Sequence, residues 1–135
     1  MSQLDDALQR AMTSVPDCVA AGFVDLSSGM VLSIKTVDSH PSEVFDFLAA
    51  ATADLFQGPN VTAIESIFKK ARGLPDNTDH HYFQEIIVNS ENLIHVFIRG
   101  KKQQQVICYV CRKGANLGMV LTKARSGLPA VEAAF

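Results

Sequence analysis

Two stretches constrain the fold more than any other: LIHVFIR, Leu93 to Arg99, and QVICYVCR, Gln105 to Arg112. Side chains alternate along an extended chain, so Leu93, His95 and Phe97 face one way and Ile94, Val96 and Ile98 the other. Likewise Val106, Cys108 and Val110 oppose Ile107, Tyr109 and Cys111. A strand that is apolar on both faces has to be covered on both faces. Their β-branched and aromatic content favours strand over helix. The same alternation bears on the spacing Cys108-x-x-Cys111. On a helix the two thiols would share a face, ready to pair or to bind zinc. On a strand they point to opposite sides of the sheet and serve as small buried apolar groups. The only other cysteine, Cys18, is remote in sequence, so no second pair completes a zinc site.

The remaining segments supply the cover. Leu4, Ala7, Leu8, Ala11 and Met12 recur at helical spacing, and Pro16 ends that first helix. Cys18 to Asp25 and Met30 to Ile34 read as strands joined through Leu26-Ser-Ser-Gly29, with Gly29 supplying a positive φ. Ser39 or Ser42 can cap the next helix, with Pro41 in its first turn. Val44, Phe45, Leu48, Thr52, Leu55 and Phe56 are expected to form its buried stripe. Gln57-Gly-Pro-Asn60 breaks it. Thr62 to Glu65 reads as a capping box that opens another helix. Ile64, Ile67, Phe68 and Ala71 are expected to line its buried face, and Gly73 to stop it. After a polar loop from Leu74 to Asp79, Tyr82 to Val88 is a third strand preceding the two strands above. Leu117, Val120, Leu121 and Ala124 mark a last helix, which Gly127 and Pro129 are expected to end. The order is helix, two strands, a broken helical segment, three strands, helix. Short turns make neighbouring strands antiparallel. The expected fold is α/β in the α+β sense: a five-stranded antiparallel sheet with helices on both faces, in one domain spanning residues 1–135.

Function classes narrow next. With 47% hydrophobic and 19% charged residues, the chain can bury a core. A net charge of -2 gives no electrostatic case for nucleic acid. No apolar run approaches the roughly 18 residues of a membrane span, and MSQLDDALQR resembles neither a signal nor a transit peptide. A reducing cytoplasm is the expected compartment.

The stretches AAGFVDLSSGMVLS (Ala20 to Ser33) and CRKGANLGMVLTKAR (Cys111 to Arg125) carry a family resemblance. The first is similar to the opening hairpin of the roadblock/dynein light chain family, a longin-like group. The second is similar to that family's last strand and last helix, joined through an Asn-Leu-Gly step. The chain departs from the pattern between Pro41 and Gly73, where two helices stand in place of the usual one. The resemblance implies a non-enzymatic module that forms homodimers or pairs with a paralogue. It also implies a platform or regulator for small Ras-like GTPases, or a motor-complex light chain.

The polar residues assemble no evident catalytic set, and no cofactor or metal is expected. His80 and His81, beside Asp79, point apart if the chain there is extended, and they read as a solvated loop. His40 is isolated. His95, mid-strand, reads as a buried neutral imidazole bonded to a nearby polar group. Glu85 stands alone in its strand. The clusters Arg99-Gly-Lys101-Lys102 and Lys69-Lys70-x-Arg72 read as solvated surface. A dimer contact is expected on Val44, Phe45 and Leu48 together with Phe83, Glu85 and Ile87, because an open apolar sheet edge invites a partner. The alternative is a PAS-, GAF- or profilin-like small-molecule sensor, with Pro41 to Gly73 as a pocket wall.

Overall fold

A computed structural model of the chain describes residues 2–37, 42–73, 81, 83–102 and 104–135, without the side chains of 42–48. Helix α1 (Gln3–Ser14) leads into strands β1 (Cys18–Asp25) and β2 (Met30–Thr36). Helices α2 (Ser42–Gln57) and α3 (Pro59–Ala71) follow, then β3 (Glu85–Asn89), β4 (Leu93–Arg99), β5 (Gln105–Arg112) and α4 (Leu117–Ala133). The sheet is antiparallel throughout, in the order β2-β1-β5-β4-β3. The strands with two apolar faces, β1, β5 and β4, occupy its middle. The strands β2 and β3 form its edges.

Two cores result. On one face α1 and α4 cover Phe23, Val96, Ile107, Tyr109 and Cys111. On the other, Phe56 of α2 packs with Leu26, Phe97, Val106 and Cys108. The two thiols of β5 therefore do lie on opposite faces. Ser2 caps α1, its hydroxyl accepting from the Asp5 amide at 3.1 Å. Asn116 does the same for α4 through the Met119 amide at 3.0 Å. At the α2–α3 elbow, a Cβ on Gly58 would stand 2.6 Å from the Asp54 carbonyl oxygen, so only glycine fits the turn.

Six expectations change. Helix α3 begins at Pro59, with Gly58 as its N-cap, so Thr62 to Glu65 is no capping box. Thr62 instead bonds back to the carbonyls of Gly58 and Pro59 inside the first turn. The apolar stripe of α3 faces outward: Ile64, Ile67 and Phe68 are exposed, while Glu65 and Lys69 are buried. Leu55 of α2 is exposed as well, whereas Thr52 and Phe56 are fully buried. Helix α4 runs through Gly127 and Pro129 to Ala133. Burial of Leu128 and Val131 in the first core holds it helical past the proline. Gly127 packs against α1, where a Cβ would meet the Ala11 Cβ at 3.5 Å, an ordinary van der Waals contact. Leu117, at its start, is exposed rather than buried. Strand β3 starts at Glu85, later than the sequence suggests. Ser39, His40, Pro41, residues 74–80 and Tyr82 lie outside the described residues.

Candidate interaction surface

The site begins with an inversion. Apolar residues at i, i+3 and i+4 normally seat a helix on its core. On α3 the opposite face is held inward by charge. The guanidinium of Arg99, at the end of β4, is buried and lies 5.0 Å from the centre of the Phe56 ring. Its Nε donates to the Phe83 carbonyl at 2.8 Å and one terminal nitrogen to the Phe56 carbonyl at 3.1 Å. Burial pulls the Arg99 pKa down, and the nearby Glu65 carboxylate opposes that pull. His81 Nδ1 lies 3.1 Å from Glu65 Oε1. A buried charge is tolerated where opposite charge and hydrogen bonds surround it. Here that cluster draws the polar face of α3 onto the sheet and leaves Ile64, Ile67 and Phe68 in solvent. Arg99 and Lys69, expected as solvated surface, are thus buried.

The same cluster leads to the open edge. Arg99 holds the Phe83 carbonyl, and its own amide donates to the Gln84 carbonyl at 2.8 Å, just before β3. Among the described residues, strand β3 pairs only with β4 and carries no partner strand on its other side. Ile87 and Val88 are 43% and 37% exposed there, high for adjacent apolar residues on one strand. A shallow open groove of about 590 Å³ follows the edge, lined by Phe83 to Ile87. Glu85 is not alone. Arg125 of α4 grips it with two bonds, at 2.7 and 2.8 Å, which hold its carboxyl below the usual range.

Of the residues expected at a dimer contact, Phe83, Glu85 and Ile87 fall on this edge. Phe83 is half-buried against the second core. The side chains of Val44, Phe45 and Leu48 lie outside those described. Ile64, Ile67 and Phe68 were assigned to the core by sequence. Their period was legible in the sequence, but the direction they face was not. His95 is half-buried at 3.3 Å from the Ser90 hydroxyl, with its pKa lowered by burial. Among the described residues, no group of three or more His, Cys, Asp or Glu is placed to hold a metal, and no helix is long and apolar enough to cross a membrane.

No family model matches the chain, and no curated protein does. Solved structures do. MglB of Myxococcus xanthus superposes with a TM-score of 0.70 at 14% identity, covering 98% of this chain and 94% of that one. A Roadblock/LC7 domain from Streptomyces avermitilis gives 0.64 at 14% identity, covering 96% and 94%. Profilin II of Acanthamoeba castellanii gives 0.56 at 10% identity, covering 99% and 98%. The profilin match shows that this topology serves more than one role, so fold alone does not assign function. The higher scores lie with MglB and the Roadblock/LC7 domain, and with its five-stranded antiparallel sheet and flanking helices this chain has the roadblock, longin-like fold.

Proposed function

We propose that the chain is a non-enzymatic interaction module that pairs with a second copy of itself or a paralogue. So paired, it acts as a platform or regulator for a small Ras-like GTPase. The observation that carries the pairing is the outward apolar stripe Ile64, Ile67 and Phe68, tied through the Arg99 cluster to the open β3 edge. An unpaired strand edge with a groove beside it suits addition of another strand, backbone to backbone. A two-fold contact there would bury the apolar helix face and the edge together. The GTPase partner rests on the roadblock fold and on the resemblance of the hairpin and of the β5–α4 junction. The groove does not favour a small-molecule sensor, because a ligand site normally encloses most of its ligand and this one is open along its length.

Sedimentation equilibrium at micromolar concentration tests the pairing, with Ile67→Asp as the disrupting variant. Burying a full isoleucine side chain is worth about 1.5–3 kcal/mol, and an unpaired aspartate in its place adds a desolvation cost. The variant should weaken association at least a hundredfold and leave the monomer folded. A wild-type chain that stays monomeric refutes the pairing. Capture of a GTPase from native lysate in the presence of GDP or GTP, lost with Ile67→Asp, tests the partner. Failure to recover one removes that part of the proposal.

A further inference from the structure

Cys18 opens β1 and Cys111 sits next to last in β5, and the two are direct partners across the antiparallel pair. The Arg112 amide donates to the Asp17 carbonyl at 3.0 Å. That bond joins the residue after one cysteine to the residue before the other, which marks Cys18–Cys111 as a non-hydrogen-bonded pair. Such pairs bring their Cα atoms to about 4.5 Å and their side chains closest together. A disulfide spans Cα separations of about 4.4–6.8 Å, so the backbone is already in range. The register slips between Cys18 and Ala20, and this local bulge leaves β1 room to adjust there. Both thiols are free. Cys18 is half-buried and reachable, while Cys111 is fully covered in the first core. Cys108 lies on the other face in the second core, out of reach of both.

We propose that Cys18 and Cys111 form a reactive dithiol that a disulfide oxidant such as glutathione disulfide converts into a reversible cross-strand bond clamping β1 to β5. The Cys18 sulfur attacks one sulfur of glutathione disulfide. The oxidant's S–S bond breaks, and one glutathione leaves with the proton given up by Cys18. The Cys111 sulfur then attacks the Cys18 sulfur of the mixed disulfide. The second glutathione leaves with the proton of Cys111. The protein dithiol loses two electrons, and glutathione disulfide becomes two thiols.

The order of the two steps follows from the surroundings. A hydrogen bond from the Cys111 thiol holds the Cys18 pKa below the ordinary cysteine value, so Cys18 is the attacking thiol. That same bond to Cys18 is the first cause that keeps Cys111 protonated, followed by burial and by the charge of Cys18. Capping Cys18 with glutathione removes the bond and the charge, and Cys111 is released to resolve the adduct. Burial first, and then the charge of Cys18, push the Cys108 thiol up to about 12 and keep it inert.

The test uses the full chain incubated with glutathione disulfide, followed by non-reducing peptide mapping by mass spectrometry. The expected product has lost two hydrogens, joins the peptides of Cys18 and Cys111, and leaves Cys108 free. The bond closes a loop of roughly 90 residues, so the melting temperature should rise by about 10 °C and return on adding dithiothreitol. Cys111→Ala should stop at a lasting glutathione adduct on Cys18, and Cys18→Ala should not react. A lasting Cys18 adduct in the wild type, a bond to Cys108, or three unmodified thiols overturns the proposal. The wild-type map decides the matter even if a variant fails to fold. It is also independent of pairing at β3, from which β4 separates β5.

Discussion

Replacing Arg99 with methionine tests the account of why α3 faces as it does. Methionine keeps a long apolar stem but removes the fork. Two hydrogen bonds from a charged donor go, to the carbonyls of Phe83 and Phe56. Each such bond is worth about 1.5–3 kcal/mol. The stack on Phe56 goes too, worth about 1–2 kcal/mol at a dry site. Against this, the substitution no longer buries a guanidinium, which returns several kcal/mol of desolvation. It also takes the guanidinium charge away from the buried Glu65 carboxylate. Breaking one partner of a buried ionic cluster costs about 3–5 kcal/mol, so Arg99→Met should cost around 3 kcal/mol. Urea denaturation at one fixed protein concentration reads this, because association shifts apparent stability. Glu65→Leu added to Arg99→Met should cost less than the sum of the two single changes, since the second change removes the carboxylate that the first deprives of its guanidinium. A loss below 1 kcal/mol for Arg99→Met, or strict additivity in the double variant, refutes the view that this cluster orients the helix.

Tyr109 is fully buried, and its hydroxyl has no hydrogen-bond partner among the described residues. Tyr109→Phe should therefore leave stability unchanged or raise it by up to about 1 kcal/mol in chemical denaturation, and a loss of 2 kcal/mol would mean the hydroxyl has a partner. Pro129 lies inside α4 and is exposed, so Pro129→Ala restores a donor to the helix ladder and should raise the melting temperature by a few degrees; a fall would show that the proline's stiffening of the unfolded chain dominates. The His95 pKa is lowered by burial, so the unfolded chain binds a proton more readily than the folded one. His95 therefore costs no stability above pH ~6.5 and makes the protein less stable as pH falls from there towards its own lower value. Proton NMR should find His95 titrating below the ordinary histidine value, and His95→Gln should flatten that part of the stability profile; a normal titration contradicts the burial.

What the sequence disclosed followed from how local each signal is. The ranges of β1, β4 and β5 were readable because turn residues bracket strands with unbroken apolar alternation. The inverted face of α3 was not. A period of 3.6 says that two faces differ, while the side that points inward depends on Arg99, 34 residues away from Glu65 in the chain, and on a carbonyl at Phe83. The Glu85–Arg125 grip and the Cys18–Cys111 register are likewise pairings between distant segments that no window of sequence contains. Pro129 misled because a local breaker was outweighed by Leu128 and Val131 entering the core. Of the surface itself, the β3 edge was legible and the helix beside it was not.

The sheet has two ends, and this sets the valence of any assembly. A two-fold contact through β3 saturates itself, since each copy spends its one β3 edge on the other. The joined sheet would then end in β2 on both sides. If β2 were as receptive, pairing would not stop at two but would propagate into a ribbon. Several details blunt that edge. Lys35 places a charge along it, and the register shift between Phe23 and Val24 kinks the ladder behind it. At its end the Thr36 hydroxyl turns inward to the Val19 carbonyl at 3.3 Å. Closure at a small, fixed copy number would thus be governed as much by the refusal of β2 as by the appetite of β3.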